Sequence, residues 1–395
     1  MEQLSGKLKR YFYFALIFLF NCFPIKKNKI IMFSYYGSQY GCNPKYISEY
    51  ITEKTPNEQF DIVWAFNRTA DKENIPSIRK VKIMSLKYFF ELCTSKIIIT
   101  NFRTTDLFVK RKDQYYIQTW HSSLRLKQIE KDAEEALPGH YVKMAKKDSE
   151  KCDLLLSGCE FSTNIFKRAF WYEGEIFKSG TPRNDLFFSN DSFLKEKIFV
   201  KLNIPADSNI VLYAPTFRKD SGLSVYNIDY SKILKSLKQN YGGEWTFLVK
   251  LHPHLSSKSK ELNFDDFVID VTNYNDIQEL LSISDILISD YSSLMFDFSI
   301  TQRPCFLYVP DYENYVKQDR NLYFNLLELP FKAAMNNEEL IDIINTFDNV
   351  EYEKDLSTFN KKIGSYEEGR ASELLVQRIH EVCFSQSRGN LNEAV

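Results

Sequence analysis

Five polar clusters, each set after a short apolar run, hold the side chains with chemistry to offer. The longest reads Ser284-Asp285-Ile286-Leu287-Ile288-Ser289-Asp290-Tyr291-Ser292-Ser293-Leu294-Met295-Phe296-Asp297-Phe298. Its apolar run, Ile286 to Ile288, breaks into a turn with a carboxylate and two hydroxyls before apolar periodicity resumes at Leu294. Asp290 to Ser293 supply side chains that cap a helix. A strand, hydroxyl-rich turn and helix start suits an anion, because backbone N–H groups and the helix dipole point at it, so a phosphate or pyrophosphate is the expected ligand. In Gln118-Thr119-Trp120-His121-Ser122-Ser123-Leu124-Arg125-Leu126-Lys127, His121 follows a strand-like run. A histidine there acts as a general base near neutral pH or as a hydrogen-bonded structural group. Tyr213-Ala214-Pro215-Thr216-Phe217-Arg218 ends in a proline-stiffened turn whose arginine suits bidentate phosphate recognition or a surface ion pair. Lys250-Leu251-His252-Pro253-His254 sets two imidazoles two apart with no third ligand nearby, which favours His252 as a phosphate donor over a metal site. Gly180-Thr181-Pro182-Arg183-Asn184-Asp185 fixes an arginine and an aspartate, as ligand contacts or as an ion pair in a domain hinge. Neither the Walker pattern nor the dinucleotide glycine fingerprint occurs.

The elements that must position these clusters alternate. Candidate strands are Ile30 to Ser34, Asp61 to Phe66, Lys96 to Asn101, Tyr115 to Trp120, Leu154 to Ser157 and Ile176 to Ser179. After a polar break come Ile210 to Ala214, Thr246 to Leu251, Phe267 to Ile269, Ile286 to Ser289 and Cys305 to Tyr308. Segments long enough for helices separate them, which predicts an α/β chain with parallel sheets. Two successive sets divide near residue 195, giving two Rossmann-like domains that face one cleft, with the polar clusters at the carboxyl ends of strands where ligands of such sheets sit. At 395 residues, 44% apolar and 15% aromatic, the chain has material for both cores. A net charge of -1 gives no basic surface for nucleic acid. Seven scattered cysteines without a C-x-x-C spacing argue against disulfides and zinc and fit a reducing, cytoplasmic setting.

Residues 1–29 form the one biased segment. Lys7, Lys9 and Arg10 precede an apolar run from Tyr11 to Phe20, and Lys26, Lys27 and Lys29 follow. The run falls short of the ~20 residues that span a bilayer, and no small-x-small cleavage site follows it. The segment reads as a monotopic, membrane-associating amphipathic anchor at the cytoplasmic face, with aromatic residues at headgroup level and lysines on anionic lipid. The alternative is a helix packed on the first domain.

Taken together and in this order, the clusters resemble the CDP-glycerol glycerophosphotransferase family, the teichoic acid and capsule polyol-phosphate transferases. The resemblance runs from about residue 30 to 380, through Asn43-Pro44-Lys45-Tyr46-Ile47, Trp120-His121 with Lys127, Gly180 to Asp185, Tyr213 to Arg218, His252-Pro253, Ser284 to Asp297 and Gly369-Arg370-Ala371-Ser372. It implies a GT-B-like fold, with an acceptor-side domain at 30–195, a CDP-polyol donor domain at 196–395, and neither metal nor cofactor. By resemblance His121 stands at the general base, and Arg218, His252, Ser292 and Ser293 hold the donor pyrophosphate. Asp290 and Asp297 share the donor motif, and Lys127, Arg183 and Asp185 are substrate-binding. The implied partners are CDP-glycerol or a similar CDP-polyol, a lipid-linked saccharide or polyol phosphate acceptor, and the membrane surface. Many members carry glycine or alanine right after the first histidine, where this chain has Ser122-Ser123-Leu124-Arg125, which leaves the acceptor and the polyol open. A CDP-ribitol transferase, a GT-B enzyme using a nucleotide sugar and an inactive membrane assembly protein are the rival readings. The sequence leaves open single addition against polymerisation, and wall teichoic acid against capsule.

Overall fold

The computed structural model describes residues 2–55, 60–70, 75, 77–189, 191–218, 223–252, 255, 267–318 and 321–385, with side chains from Leu8 onward. Its first sheet has seven strands: β1 (Lys26–Phe33), β2 (Asp61–Phe66), β3 (Arg79–Lys82), β4 (Ser95–Thr100), β5 (Tyr115–Gln118), β6 (Leu154–Ser157) and β7 (Glu175–Lys178). They lie in the order β3-β2-β1-β4-β5-β6-β7, and every pairing is parallel. The second sheet has six: β8 (Ser208–Tyr213), β9 (Glu244–Val249), β10 (Val268–Asp270), β11 (Ile286–Ser289), β12 (Cys305–Tyr308) and β13 (Ala333–Ala334), ordered β10-β9-β8-β11-β12-β13 and again parallel. The apolar runs explain the middle positions. Ile30 to Met32 on β1 and Ile97 to Ile99 on β4 are wholly buried and pair in register, as strands covered on both faces must be.

Helices cover the sheets: α1 (Glu2–Phe20), α2 (Cys42–Lys54), α3 (Leu86–Thr94), α4 (Gly139–Lys151), α5 (Glu160–Ala169) and α6 (Ser192–Leu202), then α7 (Tyr230–Tyr241), α8 (Ile277–Ile283), α9 (Leu294–Phe298), α10 (Tyr312–Gln318), α11 (Asn337–Asn345), α12 (Asn349–Ile363) and α13 (Ala371–Phe384). In each sheet the order reverses once, between β1 and β4 and between β8 and β11. These two reversals open the crevices at which α/β sheets hold ligands.

Three expectations change. Arg79–Lys82 forms strand β3, which the sequence hides because only Val81 of it is buried, at the sheet edge, and β13 is only two residues long. The second domain does not keep 196–395 whole: α13 crosses back, and its Leu375, Val376 and Ile379 join the core of the first sheet with Ile30, Ile97 and Trp64. The first 29 residues are not one separate segment either, since β1 begins at Lys26. Lys29 is fully buried, with Nζ 2.6 Å from both Glu91 Oε2 and Thr94 Oγ1, so it meets a carboxylate rather than a lipid. Helix α1 itself packs Ile17 and partly buried Tyr13, Phe14 and Phe20 around Phe89 and Cys93 of α3. Its other side leaves Tyr11, Phe12, Phe18 and Leu19 more than half exposed. No helix among the described residues is long and apolar enough to cross a membrane.

Candidate active site

The two crevices face each other across a cleft of two lobes. One lobe, about 520 Å³, lies against His121, and the other, about 550 Å³, lies against His252. Tyr35, Arg183, Ser292 and Leu294 border both.

The first wall grows from the ends of β1, β4 and β5. Tyr35 and Tyr36 follow β1 with φ of 46° and 54°, and Trp120 follows β5 with φ of 49°. Bulky residues seldom take this left-handed region, and such strain gathers at functional sites. Asn101, at the end of β4, accepts the Tyr35 N–H at 3.0 Å through Oδ1. Its carbonyl lies 3.3 Å from His121 Nδ1. A carbonyl only accepts, so Nδ1 carries the hydrogen and the imidazole lone pair sits on Nε2. The exposed His121 ring stacks on Trp120 at 4.6 Å. Behind it, Asn43 donates Nδ2–H to the Thr119 and Trp120 carbonyls at 3.3 and 3.1 Å, fixing the strand end.

The second wall grows from β8 and β11. Asp290 accepts the Thr216 N–H with both oxygens at 2.9 Å and the Thr216 hydroxyl at 2.6 Å, stitching the two loops together. Arg218 is buried between Asp290 (2.5 Å) and Asp311, which it meets with Nε at 2.8 Å and Nη2 at 3.1 Å. Burial pulls its pKa down, but the two carboxylates outweigh burial and hold it well above the usual arginine value. His252 stands exposed after β9 beside Phe217, with ring centroids 5.4 Å apart. Lys250 donates to the Thr272 and Tyr274 carbonyls at 2.8 Å, and burial lowers its pKa to about 8.

A polar seam joins the walls. Lys45 Nζ lies 2.6 Å from both Asp276 and Glu279, and Tyr46 donates to Asp276 at 3.0 Å. Arg183 pairs with Asp297, and Asn184 links Asp297, Gln278 and Glu367. Gly180 turns the chain into this motif at φ 83°, a conformation that glycine adopts without strain. The Leu126 N–H reaches Ser293 Oγ at 3.3 Å, so one hydroxyl of the second wall also ties the domains.

Of the ten residues singled out by sequence, six line the cleft: His121, Lys127, Arg183, His252, Ser292 and Ser293. Four frame it. Arg218 and Asp290 lock each other behind the second wall, and Asp297 is fully buried against Arg183. Asp185 accepts the Ala371 and Ser372 N–H groups at 3.0 and 2.7 Å, capping α13 away from the cleft. The strand–turn–helix over Ile286 to Phe298 is present, but α9 has five residues. Its dipole is correspondingly small, and the Leu294 N–H is spent on Ser292 Oγ at 3.3 Å. The 180–185 turn carries the Arg183–Asp297 pair between the domains, and Arg183 also borders both lobes. Sequence reading missed Tyr35, Asn101, Asp311 and Arg103, which lines the His121 lobe paired with Glu130 and Asp148. Only Asp311, a carboxylate three residues beyond a strand end, left a readable signal. His254 lies outside the described residues, and among those described no three His, Cys, Asp or Glu side chains gather as a metal site.

Two Rossmann-like domains closing on one cleft define the GT-B arrangement. A solved structure of the wall teichoic acid polymerase TagF superposes with a TM-score of 0.82 at 30% identity, covering 97% of this chain and 98% of that one. A UDP-N-acetylglucosamine 2-epimerase from Listeria monocytogenes, at 13% identity and TM-score 0.54, shares the fold alone. The model of the CDP-Glycerol:Poly(glycerophosphate) glycerophosphotransferase family matches residues 15–381, and the chain belongs to that family. The teichoic acid poly(glycerol phosphate) polymerase of Bacillus subtilis (strain 168) is 34% identical over 96% of this chain, which spans 52% of that relative. The teichoic acid glycerol-phosphate transferase of Staphylococcus aureus (strain NCTC 8325 / PS 47) is 33% identical over 89% of this chain and 93% of its own length. The chain thus spans about half the length of the Bacillus polymerase and nearly all of the Staphylococcus transferase.

Proposed function

We propose that the chain transfers glycerol phosphate from CDP-glycerol to a hydroxyl of a membrane-linked saccharide or polyol phosphate, releasing CMP, in teichoic acid or capsule synthesis. The observation that carries this is one cleft with a histidine lone pair on one wall and basic and hydroxyl side chains on the other. Buried donors around it lack partners, among them Asn101 Nδ2 and Arg183 Nε. Unmet buried donors are costly unless a ligand takes them up.

The donor lies in the His252 lobe, its pyrophosphate at the junction bordered by Ser292 and Arg183. His121 Nε2 takes the proton of the acceptor hydroxyl as its oxygen attacks the β-phosphorus in line. The bond from that phosphorus to the oxygen bridging to the α-phosphate breaks, CMP leaves, and the proton later passes to solvent. His252, Lys250, Arg183 and Lys127 offset charge on the phosphoryl oxygens in a preorganised setting. Arg218 acts from behind, holding the Thr216 and Asp290 loops in place. Purified protein should release CMP from CDP-glycerol in the presence of a synthetic lipid-linked acceptor, and EDTA should leave the rate intact. Faster turnover of CDP-ribitol would move the assignment to the ribitol transferase, and turnover of UDP-sugars alone would sink it.

The outward face of α1 supports attachment to the cytoplasmic leaflet. Because the inward face covers Phe89 and Cys93, deletion of α1 would open the core. Replacing Phe12, Phe18 and Leu19 by Gln is the cleaner test. The variant should stay folded and lose sedimentation with phosphatidylglycerol vesicles, and retained binding would refute attachment through this face.

A further inference from the structure

Asn43 is wholly buried, and its amide gathers three backbone groups that the chain order keeps far apart. Nδ2–H donates to the Thr119 carbonyl at 3.3 Å and to the Trp120 carbonyl at 3.1 Å, while Oδ1 accepts the Arg183 N–H at 3.1 Å. The first two bonds cross 76 and 77 residues and the third crosses 140. The Trp120 carbonyl belongs to the peptide plane that leads into His121, and Thr119 Oγ1 donates to the same oxygen at 2.9 Å. Trp120 itself is left-handed at φ 49°. A bulky residue keeps that conformation only where its surroundings hold it, so the direction of the imidazole depends on the bonds from Asn43. The same amide reaches the backbone of Arg183, whose guanidinium pairs with Asp297 and borders both lobes. An amide buried this deeply is costly unless its bonds are well placed, and packing of α2 alone would be served by an apolar side chain.

We propose that Asn43 is a positioning residue of the reaction, holding the base and the arginine of the lobe junction in one frame so that the His121 Nε2 lone pair faces the phosphorus. This rests on the transferase reading above. Asn43 lines neither lobe, so it acts through the two residues it places. Its frame is referenced to the second domain as well, because Lys45 and Tyr46, on the same turn of α2, meet Asp276 at 2.6 and 3.0 Å. Loss of the amide releases the Trp120 carbonyl, lets the strained turn relax and swings the ring away from the Asn101 carbonyl. In-line transfer depends steeply on such placement, because the attacking oxygen and its base must line up with the phosphorus together.

The test is a double-mutant cycle on the full chain, with CMP release from CDP-glycerol read on a synthetic lipid-linked saccharide, well below the melting temperature of each variant. Asn43→Ala should lower kcat by about 10²-fold, the scale of a misplacement of about 1 Å. Affinity for CDP-glycerol, measured by calorimetry, should move by less than about threefold, because Arg183 keeps its Asp297 pair. With His121→Ala already present, adding Asn43→Ala should lower the residual rate by less than about threefold, since no base is left to place. A residue serving the fold alone would cost the same factor in both backgrounds, and that result overturns the assignment. The imidazole gives a readout apart from turnover. Its long-range proton–nitrogen correlation spectrum should show Nδ1–H in the neutral native ring, and a mixture of tautomers in Asn43→Ala. A native-like ring in the variant overturns the proposal equally. Asn43→Ser, which keeps one hydrogen-bonding group in the site, carries the same cycle where the alanine variant does not fold. If neither variant melts cooperatively, Asn43 belongs to the fold and the assignment falls. If the native protein releases no CMP, the transferase reading falls, and the spectrum still judges whether Asn43 places the ring.

Discussion

The two crevices arise from the same topological event and are furnished in opposite ways. Between β1 and β4 the proposed base is exposed: His121 stacks on Trp120 and meets the Asn101 carbonyl, with Asn43 bracing the strand end. Between β8 and β11 the loops are locked by buried charge, with Arg218 between Asp290 and Asp311 and Tyr291 donating to Asp311 at 3.0 Å. A base must change protonation during turnover, and an exposed ring can return its proton to solvent. The proposed phosphate site would gain instead from stiffness, because preorganised donors need no rearrangement as charge develops. Sequence motifs of equal prominence thus mark an exposed imidazole on one side and a buried frame on the other.

If that contrast holds, substitutions in the two crevices should move different observables. His121→Ala should lower turnover by about 10²–10⁴-fold, while its exposure keeps the melting temperature within a degree or two of native. Stopped assays of CMP release alongside thermal melts check both halves. Full activity would make His121 structural. Arg218→Met should do the reverse and act on stability first. It leaves two carboxylates unanswered in a nearly dry site, a loss of about 3–5 kcal/mol, or roughly 10 °C in the melting of that domain. A variant that melts like native yet loses turnover would place Arg218 at the chemistry and erase the contrast.

The sequence made the architecture legible because both sheets are built from short apolar runs, and ten of the eleven anticipated strands match those observed to within two residues at each end. What it could not show is depth. His121 and Arg218 look alike on the page, each a polar residue after a strand, yet one ends exposed and the other sealed by carboxylates from 72 and 93 residues away. Asp185 caps α13 and Asp297 is buried against Arg183, and a motif does not separate these roles from ligand contact, since capping and ion pairing place a carboxylate as firmly as a ligand does. The crossing of α13 was hidden too, because an amphipathic helix carries no label for which sheet it covers.

A finer cut falls within the second crevice, between its frame and its rim. Ser292 and Ser293 are half-buried hydroxyls, so replacing both by alanine costs little packing. Each hydrogen bond to a charged group is worth about 1.5–3 kcal/mol, so the double variant should raise the CDP-glycerol KM by about tenfold or more. Melting should fall only slightly, through loss of the Leu126 to Ser293 contact. A donor KM that does not move would show that the pyrophosphate lies elsewhere.

The smallest expected effect concerns the seam that sets one crevice against the other. Glu367 accepts the Thr181 hydroxyl at 2.6 Å and the Thr181 N–H at 3.1 Å, with Asn184 at 3.3 Å. Burial raises its pKa from 4.5 to about 7, against these donors and with the Asp297 carboxylate adding to the rise. The folded state therefore binds a proton that the unfolded chain releases at lower pH. The stability this contributes is fully present below pH 4.5 and is lost as pH rises through about 7. Glu367→Gln, which keeps the shape and cannot ionise, removes that component. The variant's melting temperature should gain on the native protein's by a few degrees between about pH 5 and pH 8. Glu49, also raised to about 7, is common to both proteins and cancels in the difference. A difference that stays flat across that range would mean that Glu367 titrates as an ordinary carboxylate, and that the seam between the crevices holds it no differently from water.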